Sequence, residues 1–375
     1  MTPADRMQKP RYRYRHFGGF RLLLAMLVML QHFAADLAPL PLARAFAPYP
    51  VGGIAVLVFF ALSGFVITEA IDCIYRERAG AFLGNRLLRI VPHFLLAVAL
   101  SMLAHEIFRA TGGARLWRSQ PSFPADAFAP INVALNFIGI TPFIDRAIDY
   151  NFLDITWAVR VEMVFYLVMA GCIAIGARLP GKKGFTIAAT AAALLLTPLF
   201  AFAVYGRGAR MMEFLPYFGF GVGLYFATIG RRAGWLTVAL SVPAMLWQSI
   251  LQQSLEPVAG MPAPSLAGQL IMLGLLLGVL GVLAFSDIAR GRDTDRVLGG
   301  LTYPLYLYHQ DVLVLLLTFT VGYSYAVFVT GILLSLLVAM ALTSLVDPMV
   351  TRYRDKVRGG ALRAGKPARY ALVRH

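Results

Sequence analysis

The sequence predicts an all-α integral membrane protein, a polytopic bundle of about ten transmembrane helices. Of its 375 residues, 59% are hydrophobic and only 14% are charged, and the mean hydropathy is +0.69. Several apolar runs reach the roughly 20 residues that a helix needs to cross a bilayer. The predicted spans are residues 17–36, 51–71, 92–108, 153–176, 185–204, 212–229, 234–251, 265–286, 301–320 and 324–346.

The placement of basic residues predicts the orientation of the bundle. With ten spans and a cytoplasmic N-terminus, 25 of the 34 lysines and arginines fall in inside segments. This positive-inside bias puts both termini in the cytoplasm. It predicts a basic cytoplasmic N-terminus (1–16), a transmembrane domain (17–346) with an extracytoplasmic loop (109–152), and a basic cytoplasmic tail (347–375). Because topology explains the net charge of +15, we expect the tail to contact anionic membrane lipids and not nucleic acid.

The first span contains two residues that are costly inside a membrane, Arg21 and His32. Eleven helical steps of about 100° bring the two side chains back almost to the same face. At a rise of about 1.5 Å per residue they lie roughly 16 Å apart along the helix axis. One helix face thus joins a cation at the inner boundary to a titratable base deeper in the bilayer, which predicts a functional site.

Two further arginines follow at the cytoplasmic end of the third span. Arg86 and Arg89 are three residues apart, so they share a helical face just before Pro92. Paired guanidinium groups suit a polyphosphate because each can bind phosphate oxygens through two hydrogen bonds. The alternative is ordinary topogenic charge, which the pair alone does not exclude.

Glu162 lies about ten residues into the fourth predicted span, where an unpaired carboxylate is expensive. It must face the interior of the bundle and find a partner or a proton. Arg160 is two residues away and therefore points to a different face. A structural pair between helices is the alternative to a catalytic role.

His309 continues a row of one-turn steps from Tyr303 and Tyr306. Such a hydroxyl–imidazole face suits a polar substrate, although it also suits a helix-packing network. Ser63, beside Gly64, is a weaker candidate because small residues in membrane helices commonly serve close packing. The sequence contains no motif with metal-ligand spacing, so we expect no metal site.

Together these segments resemble the acyltransferase 3 family of bacterial membrane O-acyltransferases. The resemblance runs from Arg21 to about Val346 and departs from the family pattern at Ala158 and Thr302, where serine is usual. The five matching segments, in the family's order, are Arg21 with His32; Phe59 to Phe65; Arg86, Arg89, Ile90 and Pro92; Trp157, Glu162, Phe165 and Tyr166; and Tyr303, Tyr306, Leu307 and His309.

The resemblance implies an enzyme of the bacterial cytoplasmic (inner) membrane that modifies cell-surface glycans. The implied donor is acyl-CoA, with acetyl-CoA expected, and no tightly bound cofactor. The implied acceptor is a hydroxyl of a surface polysaccharide or of a lipid-linked glycan, approaching near the 109–152 loop. The oligomeric state remains open.

The resemblance and the local chemistry together suggest a role for each candidate. Arg21, Arg86 and Arg89 would bind the CoA phosphates. His32 would act as general base or as acyl carrier, with Glu162 orienting it. The expected substrate-binding residues are Trp157, Tyr303, Tyr306, His309 and Ser63. A transporter or flippase for a lipid-linked sugar is the main alternative, and a non-catalytic recruiting subunit is a third.

Overall fold

The computed structural model of the protein describes residues 14–111, 124, 126–142, 144, 147–179, 188–189, 191–192, 213–252, 262–286, 291–320 and 322–362. The regular elements in these ranges are helices. A π-helical turn, Ile71–Tyr75, continues the third helix. The helices are α1 (Phe17–Asp36), α2 (Leu40–Phe46), α3 (Val51–Ala70), α4 (Ala79–Ala110), α5 (Pro130–Phe137), α6 (Thr156–Arg178), α7 (Leu215–Thr228), α8 (Arg232–Gln252), α9 (Leu266–Phe285), α10 (Arg292–Phe319) and α11 (Tyr325–Leu362).

Seven helical stretches of the described chain are long and apolar enough to cross a membrane. They are α1, the stretch from α2 through the π-helical turn, α4, α6, α8, α9 and α11. Of the other predicted spans, α7 has only 14 residues and α10 begins with charged turns. The predicted span 185–204 lies outside the described residues except for four positions. The helical membrane class is therefore confirmed, while the count of ten and the orientation stay predictions.

Three predicted boundaries are corrected by the structure. Helix α4 begins at Ala79 and not near Pro92, so the Arg86–Arg89 pair lies within the helix and Pro92 lies inside it. A proline removes one backbone hydrogen bond, which membrane helices tolerate where neighbouring groups compensate. Helix α10 begins at Arg292, because Asp293 and Asp295 suit the positive end of a helix. Helix α11 continues without a break past Val346.

The centre of the bundle consists of α1, α3, α4 and α10, with α7 packed on α3 and α11 packed on α10 and α4. Helices α3 and α7 cross at two glycines. A Cβ added at Gly64 would lie 2.2 Å from the Phe218 carbonyl oxygen, and one at Gly221 would lie 1.9 Å from that of Ala61. The two backbones are in direct contact, as small residues allow in membrane proteins.

Asp295 fixes helix α1 to helix α10. Its carboxylate accepts hydrogen bonds from the backbone N–H groups of Gly18 (3.1 Å) and Gly19 (2.8 Å), at the positive end of α1. His32 lies fourteen residues after Gly18, and His309 lies fourteen residues after Asp295. Because the two helices run side by side in the same direction, this contact sets the two histidines at the same height.

The segment before α6 is held by two buried asparagines of α5. Asn132 and Asn136 both donate to the Tyr150 carbonyl oxygen, at 3.0 and 2.9 Å, and Asn136 also accepts from the Phe152 N–H. Buried Arg160 donates to the Gly139 carbonyl oxygen at 2.6 Å. These bonds satisfy the polar backbone of an irregular segment that packs on the bundle.

Candidate active site

His32 and His309 are in contact at the α1–α10 interface. Their ring centroids lie 5.3 Å apart, with the ring planes tilted by 50°. His309 is fully buried, and its Nδ1 lies 3.1 Å from the Leu305 carbonyl oxygen. Because a carbonyl can only accept, Nδ1 carries the proton and Nε2 is the acceptor. That Nε2 has no hydrogen-bond partner among the described residues, so an unused basic nitrogen is buried beside His32.

Glu162 makes its hydrogen bonds elsewhere. Its carboxylate accepts from Ser63 Oγ at 3.2 Å and from the Tyr166 hydroxyl at 2.7 Å. Within the described hydrogen bonds, Glu162 is not paired with His32. The structure therefore brings together Glu162 with Ser63, and His32 with His309, as two neighbouring sites.

The tyrosines of α10 lie between these two sites. The Tyr306 ring is 6.4 Å from the His309 ring, which agrees with the last step of the predicted row. Its hydroxyl donates to the Ile155 carbonyl oxygen at 3.4 Å, and the Tyr303 hydroxyl donates to that of Ile90 at 3.2 Å. Both hydroxyls lie near the Glu162 carboxylate, and neither has a hydrogen bond to it among the described contacts.

A polar cavity of about 350 Å³ opens beside the first turns of α1. We call it the arginine cavity. It is lined by the start of α1, parts of α4 and α10, and the later turns of α11, and Tyr303 forms part of its wall. The charged side chains in its lining are Arg15, Arg21, Arg89, Arg296, Arg354, Glu69, Asp295 and Asp347. Five arginines against three carboxylates favour an anionic ligand.

The two arginines of α4 face different surroundings. Arg89 lines the arginine cavity together with Arg21. The Arg86 guanidinium instead lies over the rings of Phe82 and Tyr166, at 5.6 and 5.8 Å from their centroids. Its Nε is buried without a hydrogen-bond partner in the described part of the chain. The predicted phosphate pair is therefore divided: Arg89 belongs to the cavity and Arg86 to the surroundings of Glu162.

Trp157 lies at the start of α6 and is 37% exposed. Its indole packs on the rings of Phe60 and Phe214, with centroid distances of 6.1 and 5.1 Å. Among the described contacts it joins an aromatic cluster and not the histidine pair. Arg160 and Glu162 lie on different faces of α6, as their spacing predicts. Arg160 bonds to Gly139 and Asn151, whereas Glu162 bonds to Ser63 and Tyr166.

Several charged groups near the cavity are not among the site residues that the sequence predicts. Arg15 forms a buried ion pair with Glu69 and lies 4.8 Å from the Phe65 ring centroid. His93 lies 3.1 Å from an oxygen of Asp347 and lines the same cavity. Glu69 inside an apolar run and His93 just after Pro92 are polar residues that the sequence could have indicated as candidates. Their partners, Arg15 and Asp347, lie on distant segments and could not be predicted from local spacing.

The fold and the site define a polytopic membrane protein in which one helix connects an arginine-lined cavity to a buried histidine pair. The family model of the acyltransferase 3 domain, described as an acyltransferase domain, matches residues 16–344. The chain belongs to the acyltransferase 3 family, which confirms the resemblance seen in its motifs. It is a membrane acyltransferase. No curated protein and no solved structure matches the chain.

Proposed function

We propose that this acyltransferase moves an acyl group, acetyl in the expected case, from acyl-CoA to a hydroxyl of a surface polysaccharide or lipid-linked glycan. One observation supports it most strongly. On the single helix α1, Arg21 lines the arginine cavity and His32 contacts His309. The two residues lie roughly 16 Å apart along the axis, a distance that an extended donor arm can span.

The donor binds with its phosphates in the arginine cavity. Guanidinium groups bind phosphate oxygens through paired, charge-assisted hydrogen bonds. Arg21 and Arg89 are the cations of the cavity that belong to the transmembrane motifs, and Arg354 adds a third from α11. On the orientation that the basic residues favour, this cavity opens to the cytoplasm, where acyl-CoA is made.

The acyl transfer takes place at His32. As a general base, His32 accepts the proton of the acceptor hydroxyl while the oxygen attacks the thioester carbonyl. The carbon–sulfur bond breaks, and the CoA thiolate takes up one proton. Alternatively the imidazole attacks first, forms an acyl-histidine and passes the acyl group to the acceptor. Both routes give the same products.

His309 keeps His32 suited to this task. Two imidazolium rings at 5.3 Å would repel each other strongly in an apolar core, so the pair takes up at most one additional proton and one positive charge. The free Nε2 of His309 can share that proton. Glu162 holds Ser63 and Tyr166 in place at the neighbouring site.

The assignment of His32 is tested with purified protein and radiolabelled acetyl-CoA. His32→Gln and His32→Ala are expected to lower the rate of label transfer about 10²–10⁴-fold, the range for loss of a general base. Leu23→Ala, on an exposed part of α1, is the control and should retain the rate. Transfer close to the wild-type rate in both His32 variants would contradict the assignment.

A measurement in cells separates the enzyme from the transporter alternative. Mass spectrometry of the surface glycan, with and without the gene, is expected to show the loss of one acyl mass per modified unit. A change in the amount or sidedness of the glycan, with its acyl groups intact, would favour transport instead.

A further inference from the structure

A second series of polar side chains, most of them buried, lies between α4, α10 and α11, apart from the histidine pair. At the arginine cavity, an oxygen of Asp347 lies 3.1 Å from His93 Nε2. The other ring nitrogen of His93 lies 3.2 Å from the Tyr308 hydroxyl. We call the series the polar column. Its members are Asp347, His93, Tyr308, Asp311, Ser101 and His105.

Asp311 is the central and least satisfied member of the polar column. It is 5% exposed, and neither oxygen of its carboxyl group has a hydrogen-bond partner among the described residues. An ionised carboxylate without partners is too costly in an apolar core, so Asp311 holds a proton in this arrangement. Tyr308 lies one turn before it on α10, within electrostatic range. A buried carboxyl group that the acyl transfer does not use requires another explanation.

The column continues from Asp311 to the far end of α4. The Ser101 hydroxyl lies beside the Asp311 carboxyl and donates its own proton to the Phe152 carbonyl oxygen at 2.7 Å. Its lone pairs therefore remain available to accept from Asp311. His105 Nδ1 donates to the Ser101 carbonyl oxygen at 2.8 Å, and Ser101 Oγ lies 3.4 Å from the same nitrogen. The His105 ring packs against Phe152, 5.3 Å between centroids, where α4 approaches its last turn.

The geometry of the column suits the movement of protons. From His93 to His105 it follows twelve residues of α4, about 18 Å along the helix. Each member is a group that can both accept and donate a proton in one of its states. At the cavity end, the Asp347 side chain is 44% exposed, so it can exchange protons with water.

We propose that the polar column is a proton pathway across the bundle, with Asp311 as its carrier. The proposal goes beyond the proposed function, in which the acceptor hydroxyl loses its proton and the CoA thiolate gains one at the same place, beside His32, without the polar column. Asp311 first gives its proton through Tyr308 and His93 to Asp347. His105 then takes up a proton at Nε2 and releases its Nδ1 proton to Ser101, whose hydroxyl turns away from the Phe152 carbonyl and gives its own proton to the ionised Asp311. One proton enters and one leaves, nothing is oxidised or reduced, and every group returns to its starting state once the Ser101 hydroxyl and the two imidazole rings have turned back.

The test is proton flux into vesicles that contain the purified protein and a trapped pH-sensitive dye. A potassium gradient with valinomycin supplies the driving voltage, and neither acyl-CoA nor glycan is present. We expect the wild-type flux to exceed that of protein-free vesicles. Asp311→Asn should lose this excess and Asp311→Glu should keep it. The control Asp293→Asn, at the exposed start of the same helix, should leave it unchanged.

A second variant guards against loss of folding. Tyr308→Phe keeps the ring and removes only the hydroxyl, so it should lose the flux while retaining the wild-type melting temperature. Wild-type flux in both Asp311→Asn and Tyr308→Phe, or no wild-type flux above protein-free vesicles, would overturn the proposal. The proposed function is tested separately. It fails if His32→Gln retains transfer of the radiolabelled acetyl group, whatever the proton flux.

Discussion

At the scale of single residues, the site depends on which neighbours each polar group has. His309 uses Nδ1 for a backbone bond within its own helix, which leaves Nε2 as a buried acceptor beside His32. Glu162 is occupied by Ser63 and Tyr166. Arg86 and Arg89 lie about one helical turn apart on α4, but Arg89 lines the arginine cavity and Arg86 lies against Tyr166. Substitutions at these positions should therefore have separable kinetic effects.

The arginine pair of α4 gives the sharpest kinetic contrast. Arg89→Ala is expected to raise the KM for acyl-CoA about 10-fold to 100-fold, because a charged hydrogen bond contributes about 1.5–3 kcal/mol. Its kcat should change little. Arg86→Ala, which removes the cation beside Tyr166, should lower kcat and leave the KM for acyl-CoA near the wild-type value.

Steady-state kinetics at varied acyl-CoA and fixed acceptor measure both constants. Arg109→Ala is a suitable control, since Arg109 is an exposed arginine at the other end of the same helix. An unchanged donor KM in Arg89→Ala would remove Arg89 from the phosphate site.

At the scale of helices, close backbone contacts and capping fix the relative heights of the functional side chains. Asp295 ties the start of α1 to α10. Ser63 directly precedes Gly64 in the glycine crossing of α3 and α7. The crossing therefore helps to hold Ser63 beside the Glu162 carboxylate of α6. The Asp295 contact thus positions the histidine pair, and the glycine crossing positions Ser63.

The glycine crossing can be tested by adding one methyl group. Gly221→Ala would place its Cβ 1.9 Å from the Ala61 carbonyl oxygen, so the helices must separate. We expect a loss of about 1–3 kcal/mol of stability, the usual cost of overpacking. The control is Gly53→Ala, on the other helix of the crossing, α3. Nothing lies within 4 Å of its added carbon, so this variant should be neutral or slightly stabilising. Thermal unfolding in detergent compares the two, and equal melting temperatures would contradict the crossing.

At the scale of the whole molecule, the expected direction of transfer depends on the orientation in the membrane. In a background without Cys73 and Cys172, we expect Asp126→Cys, before α5, to react with an impermeant maleimide in intact cells. Asp293→Cys, at the start of α10, should react only after the cells are opened. Labelling of both sites in intact cells, or the reverse pattern, would contradict the cytoplasmic placement of the arginine cavity.

The sequence predicts the apolar parts of this fold better than its polar ends. The bounds of α1 agree with the predicted span 17–36, because the apolar run there has clear limits. The starts of α4 and α10 differ, because helical turns that contain charged residues resemble loops when hydropathy is the only guide. Local spacing correctly separates Arg160 from Glu162 and aligns Tyr306 with His309.

Contacts between distant segments could not be predicted in the same way. No spacing rule within one helix indicates that His32 contacts His309 or that Asp347 contacts His93. Such pairs depend on helix rotation and height, which arise from packing of the whole bundle. The polar column cannot be predicted for this reason, since its members come from three helices, α4, α10 and α11.

The wall of the arginine cavity extends beyond the family domain. Asp347 and Arg354 lie after residue 344, where the family match ends, and both line the cavity from the continuous helix α11. A chimera that exchanged only this last stretch between two relatives would keep both histidines and change the charges that meet the donor. In such a modular arrangement, donor preference can diverge while the chemistry is conserved.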